Sequence, residues 1–120
     1  MTDFHLYQVR GASFDVSSNG DNVLWTPPQS DRSLILLSFW VSVDGDVEIT
    51  LRGNHDIGPF AMASGDGGNV TSEVGLIHTD AGQTLRLGLS SGVRCTGGIR
   101  YLQQVHQGRG VTYIETPAGL

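Results

Sequence analysis

The side chains able to do chemistry in this sequence are few and scattered. Histidine stands at positions 5, 55, 78 and 106. None is paired as His-x-x-x-His on a helix or His-x-His on a strand, spacings that put two imidazoles on one metal ion. His55-Asp56 has the residue types of an acid–base or metal site, but Gly53-Asn54 before it and Gly58-Pro59 after it mark a loop. His78 falls in an expected strand and is read as structural. Asp44 and Asp46 flank Gly45 as in a calcium loop, yet Val47-Glu48-Ile49 resumes strand alternation at once, so a turn is expected. Cys95 shares the apolar parity of its strand and is expected to be a buried, inert thiol; a nucleophile needs a base and an electropositive, accessible setting. Gly65-Asp66-Gly67-Gly68 lacks the Lys-Ser/Thr and the helix of a phosphate cradle. No serine stands in Gly-x-Ser-x-Gly. These positions predict no catalysis, no metal and no cofactor.

The elements that would carry such residues are set by composition and period. The chain has 120 residues, 7 Lys+Arg against 12 Asp+Glu, and a formal net charge of -5. All the cations are arginine. That sign argues against a nucleic-acid binder, which needs clustered cations, and against a basic membrane-surface helix. One cysteine excludes a disulfide framework within the chain. The start, MTDFHLYQVR, lacks the basic and apolar regions of a secretory signal, and the apolar run from Leu34 to Val43 is too short to cross a bilayer. Synthesis in a cytoplasm is therefore expected, and the Asn69-Val70-Thr71 sequon is expected to stay unmodified.

Period-two alternation dominates from residue 33 onward. Val47, Ile49 and Leu51 alternate with Glu48, Thr50 and Arg52; Leu85, Leu87 and Leu89 alternate with Arg86 and Gly88; Cys95, Ile99 and Tyr101 share one face of a later run. Successive side chains of a strand point to opposite faces, so each set lays an apolar row on a core and a polar row in water. Asp44-Gly45 and Asn19-Gly20 read as tight hairpin turns, and Pro27-Pro28 closes a strand. Seven or eight short strands at this spacing predict an all-β protein, an antiparallel β-sandwich or jelly roll, with extended N- and C-terminal segments. The expected organisation is an N-terminal arm and first strand over 1–20, a sandwich core over 21–103 and a C-terminal extension over 104–120.

The strand Ser33–Val43 is apolar on both faces. Its odd positions Ile35, Leu37, Phe39, Val41 and Val43 are expected to face the core. Leu34, Leu36 and Trp40 then point the other way, covered either by this chain's own N-terminal segment or by a neighbouring subunit. The two ends also carry apolar patches: Phe4, Leu6 and Tyr7 before the first turn, and Val111, Tyr113 and Ile114 after a polar, glycine-bearing linker. The C-terminal patch either folds back on its own domain or adds a strand to another chain. Together with Trp25, these are the residues expected at protein interfaces.

The stretch from Trp25 to Tyr101 resembles a group of small virion proteins and domains of tailed bacteriophages. The shared pattern begins at Leu24-Trp25-Thr26-Pro27-Pro28, continues through the long apolar strand into Val47-Glu48-Ile49-Thr50-Leu51, and includes a Gly-Pro-Phe-Ala-Met-Ala segment at 58–63. Its most diagnostic piece is Thr79-Asp80-Ala81-Gly82-Gln83-Thr84-Leu85-Arg86-Leu87-Gly88-Leu89-Ser90, running into Gly97-Gly98-Ile99-Arg100-Tyr101. Ile77-His78 stands where that group often has an aromatic pair, and the segment after Gln103 is additional. The resemblance implies a β-sandwich of the phage particle, most often a capsid decoration or cement protein on the head surface. It implies the major capsid protein and copies of itself, as a trimer, for partners. The alternative is a tail or head-fibre component that binds host glycans, with Trp25 or Trp40 beside Asp66 or Asn69.

Overall fold

A computed structural model of the chain describes residues 9–71, 75–106 and 112–114. Among them are ten strands: β1 (Arg10–Val16), β2 (Gly20–Trp25), β3 (Arg32–Val43), β4 (Val47–Arg52), β5 (Asp56–Met62), β6 (Gly67–Thr71), β7 (Ile77–His78), β8 (Leu85–Leu89), β9 (Cys95–His106) and β10 (Thr112–Ile114). They form two antiparallel sheets. One runs β1-β9-β3-β6, with β10 added to β9 and β7 to β3; the other runs β2-β8-β4-β5. The pairs β1 with β9, β2 with β8, β3 with β6 and β4 with β5 nest inside one another along the chain. This is one long antiparallel ribbon rolled over on itself, the jelly-roll arrangement. The sandwich expected from the sequence is what forms.

The core lies between the sheets. Leu34, Leu36, Phe39, Val41, Val43, Cys95, Ile99 and Tyr101 come from the first sheet, and Trp25, Val47, Ile49, Leu51, Leu85, Leu87 and Leu89 from the second. Phe14 stacks on Phe39 at 5.9 Å, and Trp25 meets Tyr101 edge-on at 6.0 Å. Each such side chain contributes roughly 1.5–3 kcal/mol by leaving water.

Strand β3 departs from simple alternation. Its register against β9 shifts between Leu36 and Ser38. Such a bulge inserts one residue and moves every later side chain to the opposite face. Before it, Leu34 and Leu36 point inward; after it, Phe39, Val41 and Val43 do. Ile35 and Leu37, expected inside, are only half-buried. Two turns differ as well. Asp44-Gly45 and Asn19-Gly20, expected as hairpins, join strands of different sheets, β3 to β4 and β1 to β2. Between β1 and β2, Gly20 adopts φ +96° and the Asn22 side chain bridges back, donating to the Ser18 carbonyl at 2.8 Å. These are arches over the sandwich edge.

The described parts of the two end segments pair with the body of the fold. Strand β1, within the segment expected as arm and first strand, is hydrogen-bonded to β9 from Arg10 to Val16, and β9 continues to His106. Of the two alternatives for the C-terminal patch, the backbone of Thr112–Ile114 takes the first: it pairs with Gln104–His106 of its own chain.

The Thr79–Ser90 segment is held as a unit. Thr79 Oγ1, buried, accepts a hydrogen bond from the Leu34 amide at 3.0 Å. Gln83 closes the turn, its side chain accepting from the Asp80 amide and donating to the Gly53 carbonyl. Gly82 takes φ +79° there and its amide donates to the Arg32 carbonyl. Leu85, Leu87 and Leu89 then enter the core.

Candidate interaction surfaces

Several residues expected at interfaces lie inside the protein. Leu34 and Leu36 are 0 % exposed in the core, because the β3 bulge turns them inward. Trp25 is 7 % exposed, with a register shift between Val23 and Trp25 directing it onto Tyr101. All three side chains are spent in the core of this chain and not on its outer surface. Trp40 is on the outer face and 41 % exposed. Ile114 is half-buried in β10. Phe4, Leu6, Tyr7 and Val111, and the side chain of Tyr113, lie outside the described residues.

Three of the histidines, far apart in sequence, border one hollow of about 540 Å³ together with Asp80, Gln104 and Thr112. His55 comes from the loop between β4 and β5, His78 from β7 and His106 from the end of β9. His55 Nδ1 and His78 Nε2 contact the same Asn54 amide, at 2.8 and 3.3 Å. His106 Nε2 sits 2.5 Å from Ser33 Oγ. This looks like a nucleophile and its base, but the network assigns otherwise. The Ser33 hydroxyl donates to Gln104 Oε1 at 3.0 Å, so His106 Nε2–H donates to Ser33. Nδ1 is then the acceptor for the Thr112 hydroxyl at 3.2 Å. Ser33 is also 0 % exposed and out of reach of a substrate. Among the described residues no three His, Cys, Asp or Glu side chains are grouped to hold a metal ion.

At the sandwich edge between β5 and β6 an apolar cleft of about 300 Å³ opens between the sheets. Val41, Ile49 and Leu51 form its floor, with Ile57, Phe60 and Met62 of β5 along one side. Phe60 is 50 % exposed at the mouth. Sequence reasoning passed over Phe60, treating 58–63 only as a shared motif; its alternation with Met62 was the signal present.

The two outer faces differ in chemistry. On the β2-β8-β4-β5 sheet, Asp21 contacts Arg52 at 2.9 Å and Arg86 at 2.8 Å, and Arg52 also reaches Asp56 at 2.7 Å. Exposed pairs of this kind add little stability and keep the face solvated. On the other sheet, Ser13, Gly98, Trp40 and Asn69 form one cross-strand row. The indole lies across β9: a Cβ placed on Gly98 would come within 2.2 Å of Trp40 Cζ2. Of Trp25 or Trp40 beside Asp66 or Asn69, the combinations expected for a sugar site, the register brings Trp40 to Asn69. Asp66 is used within its own loop, accepting from the Ala63 amide at 2.8 Å.

No family model matches the chain, and no curated protein matches it.

Proposed function

We propose that this chain is a structural subunit of a tailed-bacteriophage particle, a capsid decoration or cement protein. It binds the head surface, contacts the major capsid protein and associates with copies of itself, as a trimer. Its task is binding and assembly, with no reaction catalysed. The observation that carries this reading is the open apolar edge, where Phe60 stands half-exposed over the Ile57–Met62 side of the cleft. A side chain of that size, buried against a neighbour, adds roughly 1.5–3 kcal/mol per contact. A subunit that binds only the assembled shell stabilises it by mass action, RT ln(1 + [L]/Kd) per site. The resemblance of the Thr79–Ser90 segment to phage virion sandwiches supports the same reading, and jelly rolls are an architecture of viral capsid domains. Fold alone does not assign function, so the edge is the test.

The experiment combines native mass spectrometry with co-sedimentation on expanded heads of the phage that encodes the chain. Oligomers and head attachment are expected. Phe60→Asp should weaken attachment or self-association with the unfolding midpoint little changed. A wild-type monomer that ignores heads refutes the reading.

A further inference from the structure

We propose that the outer face of the β1-β9-β3-β6 sheet is a binding site for an acidic saccharide, a uronate-bearing chain that stacks one sugar ring on Trp40 and sets its carboxylate against Arg100. The proposal goes beyond the structural role above and holds whether the protein sits on a shell or on a fibre.

The site is built from the glycine opposite the tryptophan. Gly98 and Trp40 are direct partners in the β3–β9 register. Because Gly98 has no side chain, the six-membered ring of the indole occupies the space a Cβ would fill, with Cζ2, Cε2 and Cη2 the nearest atoms. An indole over a glycine shields the backbone, which accounts for one side of the ring. It leaves the other side open to water, and Trp40 is 41 % exposed.

What surrounds the ring selects the ligand. Ser13 and Asn69 share its row, both exposed. The next row on one side holds Asp15, Thr96, Ser42 and Gly67; on the other stand Gly11, Arg100 and Ser38. Strands lie about 4.8 Å apart and same-face neighbours about 7 Å apart along a strand. Hydroxyl, amide and guanidinium groups therefore surround Trp40 within about 10 Å, roughly the span of two linked pyranose rings. Small side chains in most of these positions let a flat ligand settle on the sheet. A protein hot spot is instead an aromatic ringed by further packing contacts. Among the described residues the other exposed large apolar side chains, Val23 and Phe60, belong to the opposite sheet. A stacked nucleic-acid strand would need a row of cations along its backbone, whereas among the described residues this face carries Arg94, which is paired with Asp15, and Arg100.

Charge decides between neutral and acidic sugars. Arg94 is committed to Asp15 at 2.9 Å. Arg100 is exposed, and among the described residues no ion pair engages it. Among the described residues, the face around Trp40 thus offers one cation without an ion pair, one row from the stacking ring. A carboxylate on the sugar beside the stacked one pairs with it in a planar, two-pronged fashion.

The two tryptophans make the test direct. Trp25 is buried and Trp40 exposed, so a ligand on the face changes only the long-wavelength, iodide-quenchable emission. The probes are hexameric oligogalacturonate, oligomannuronate and hyaluronan, with cellohexaose as the uncharged control. The expected result is saturable perturbation by at least one acidic hexamer and a weaker response to cellohexaose. Trp40→Ala should lower the affinity measured by calorimetry about tenfold or more, with the remaining Trp25 emission reporting an intact core. Arg100→Gln should bring the acidic hexamer down to the level of cellohexaose. No saturable response to any acidic hexamer, or binding unchanged in Trp40→Ala, overturns the proposal. Equal affinity for cellohexaose overturns the acidic class. Head attachment of Trp40→Ala is measured in parallel: attachment lost while wild type binds none of the sugars overturns the proposal and reassigns this face to a protein contact, whereas sugar binding lost with attachment retained supports a saccharide site separate from the shell contact.

Discussion

Cys95 packs among core residues of both sheets, and burial, with a smaller contribution from the negative charge of Asp44, pushes its thiol above the ordinary range. A buried, protonated thiol is a poor nucleophile. At pH 8 the folded protein should leave a disulfide reagent unconsumed over minutes, while the urea-unfolded chain reacts at once; fast reaction of the native protein would contradict this placement. Asp15 titrates in the other direction. Arg94 donates two hydrogen bonds to its carboxylate, at 3.1 and 2.9 Å, and holds its pKa below the usual value. A carboxyl lowered in this way adds stability above the unfolded pKa, and that contribution fades as pH falls through the folded one. The pair is fully exposed, so the clear readout is the titration itself. Side-chain NMR should place the Asp15 midpoint below that of a free aspartate, and Arg94→Gln should move it up to the ordinary range. Cys95 could be assigned from its parity in the strand. The Asp15–Arg94 pair could not, because its partners meet only when β1 docks on β9.

At the scale of the element, β3 makes the sharpest demand on sequence reading. Alternation marked it as a strand with apolar residues on both faces, which is correct. It did not mark the bulge at Leu37, because one inserted residue leaves no trace in composition when every neighbour is apolar. The consequence is measurable. Leu36→Ala should destabilise the protein by about 2–5 kcal/mol, the cost of a cavity in a packed core. Trp40→Ala, on the outer face, should cost less than about 1 kcal/mol. Urea denaturation of both variants checks this, and equal costs would mean that the parity switch is misplaced. Strands β4 and β8, and β9 as far as Tyr101, carry no such ambiguity: their bulky apolar residues fall on one face, so Val47, Ile49, Leu51, Leu85, Leu87, Leu89, Ile99 and Tyr101 were identifiable as core. The turns were half legible. Gly20 was recognised as a turning point, but the same two residues serve a hairpin or an arch, and the choice depends on which sheet the next strand joins.

The whole molecule is closed by its most distant parts. Arg10 pairs with Tyr101, and β2 pairs with β8 across most of the chain. Loop-closure entropy must be met before such contacts form, so jelly-roll topologies fold slowly. Refolding followed by stopped-flow fluorescence should take milliseconds to seconds; a sub-millisecond main phase would be inconsistent with this strand order. The same closure explains what could be read in advance. The pleat is a local property, repeated every two residues, so the sequence by itself determined the all-β class, most of the strands, and the side of each simple strand that is buried. Partner choice is not local. Only the tertiary structure decided that Leu34, Leu36 and Trp25 are core, that His55, His78 and His106 border one hollow, that Phe60 stands at an open edge, and that Trp40 lies over Gly98 beside Asn69. Each of those facts is a meeting of segments tens of residues apart, and it exists only once the ribbon has rolled up and two sheets compete for the same apolar side chains.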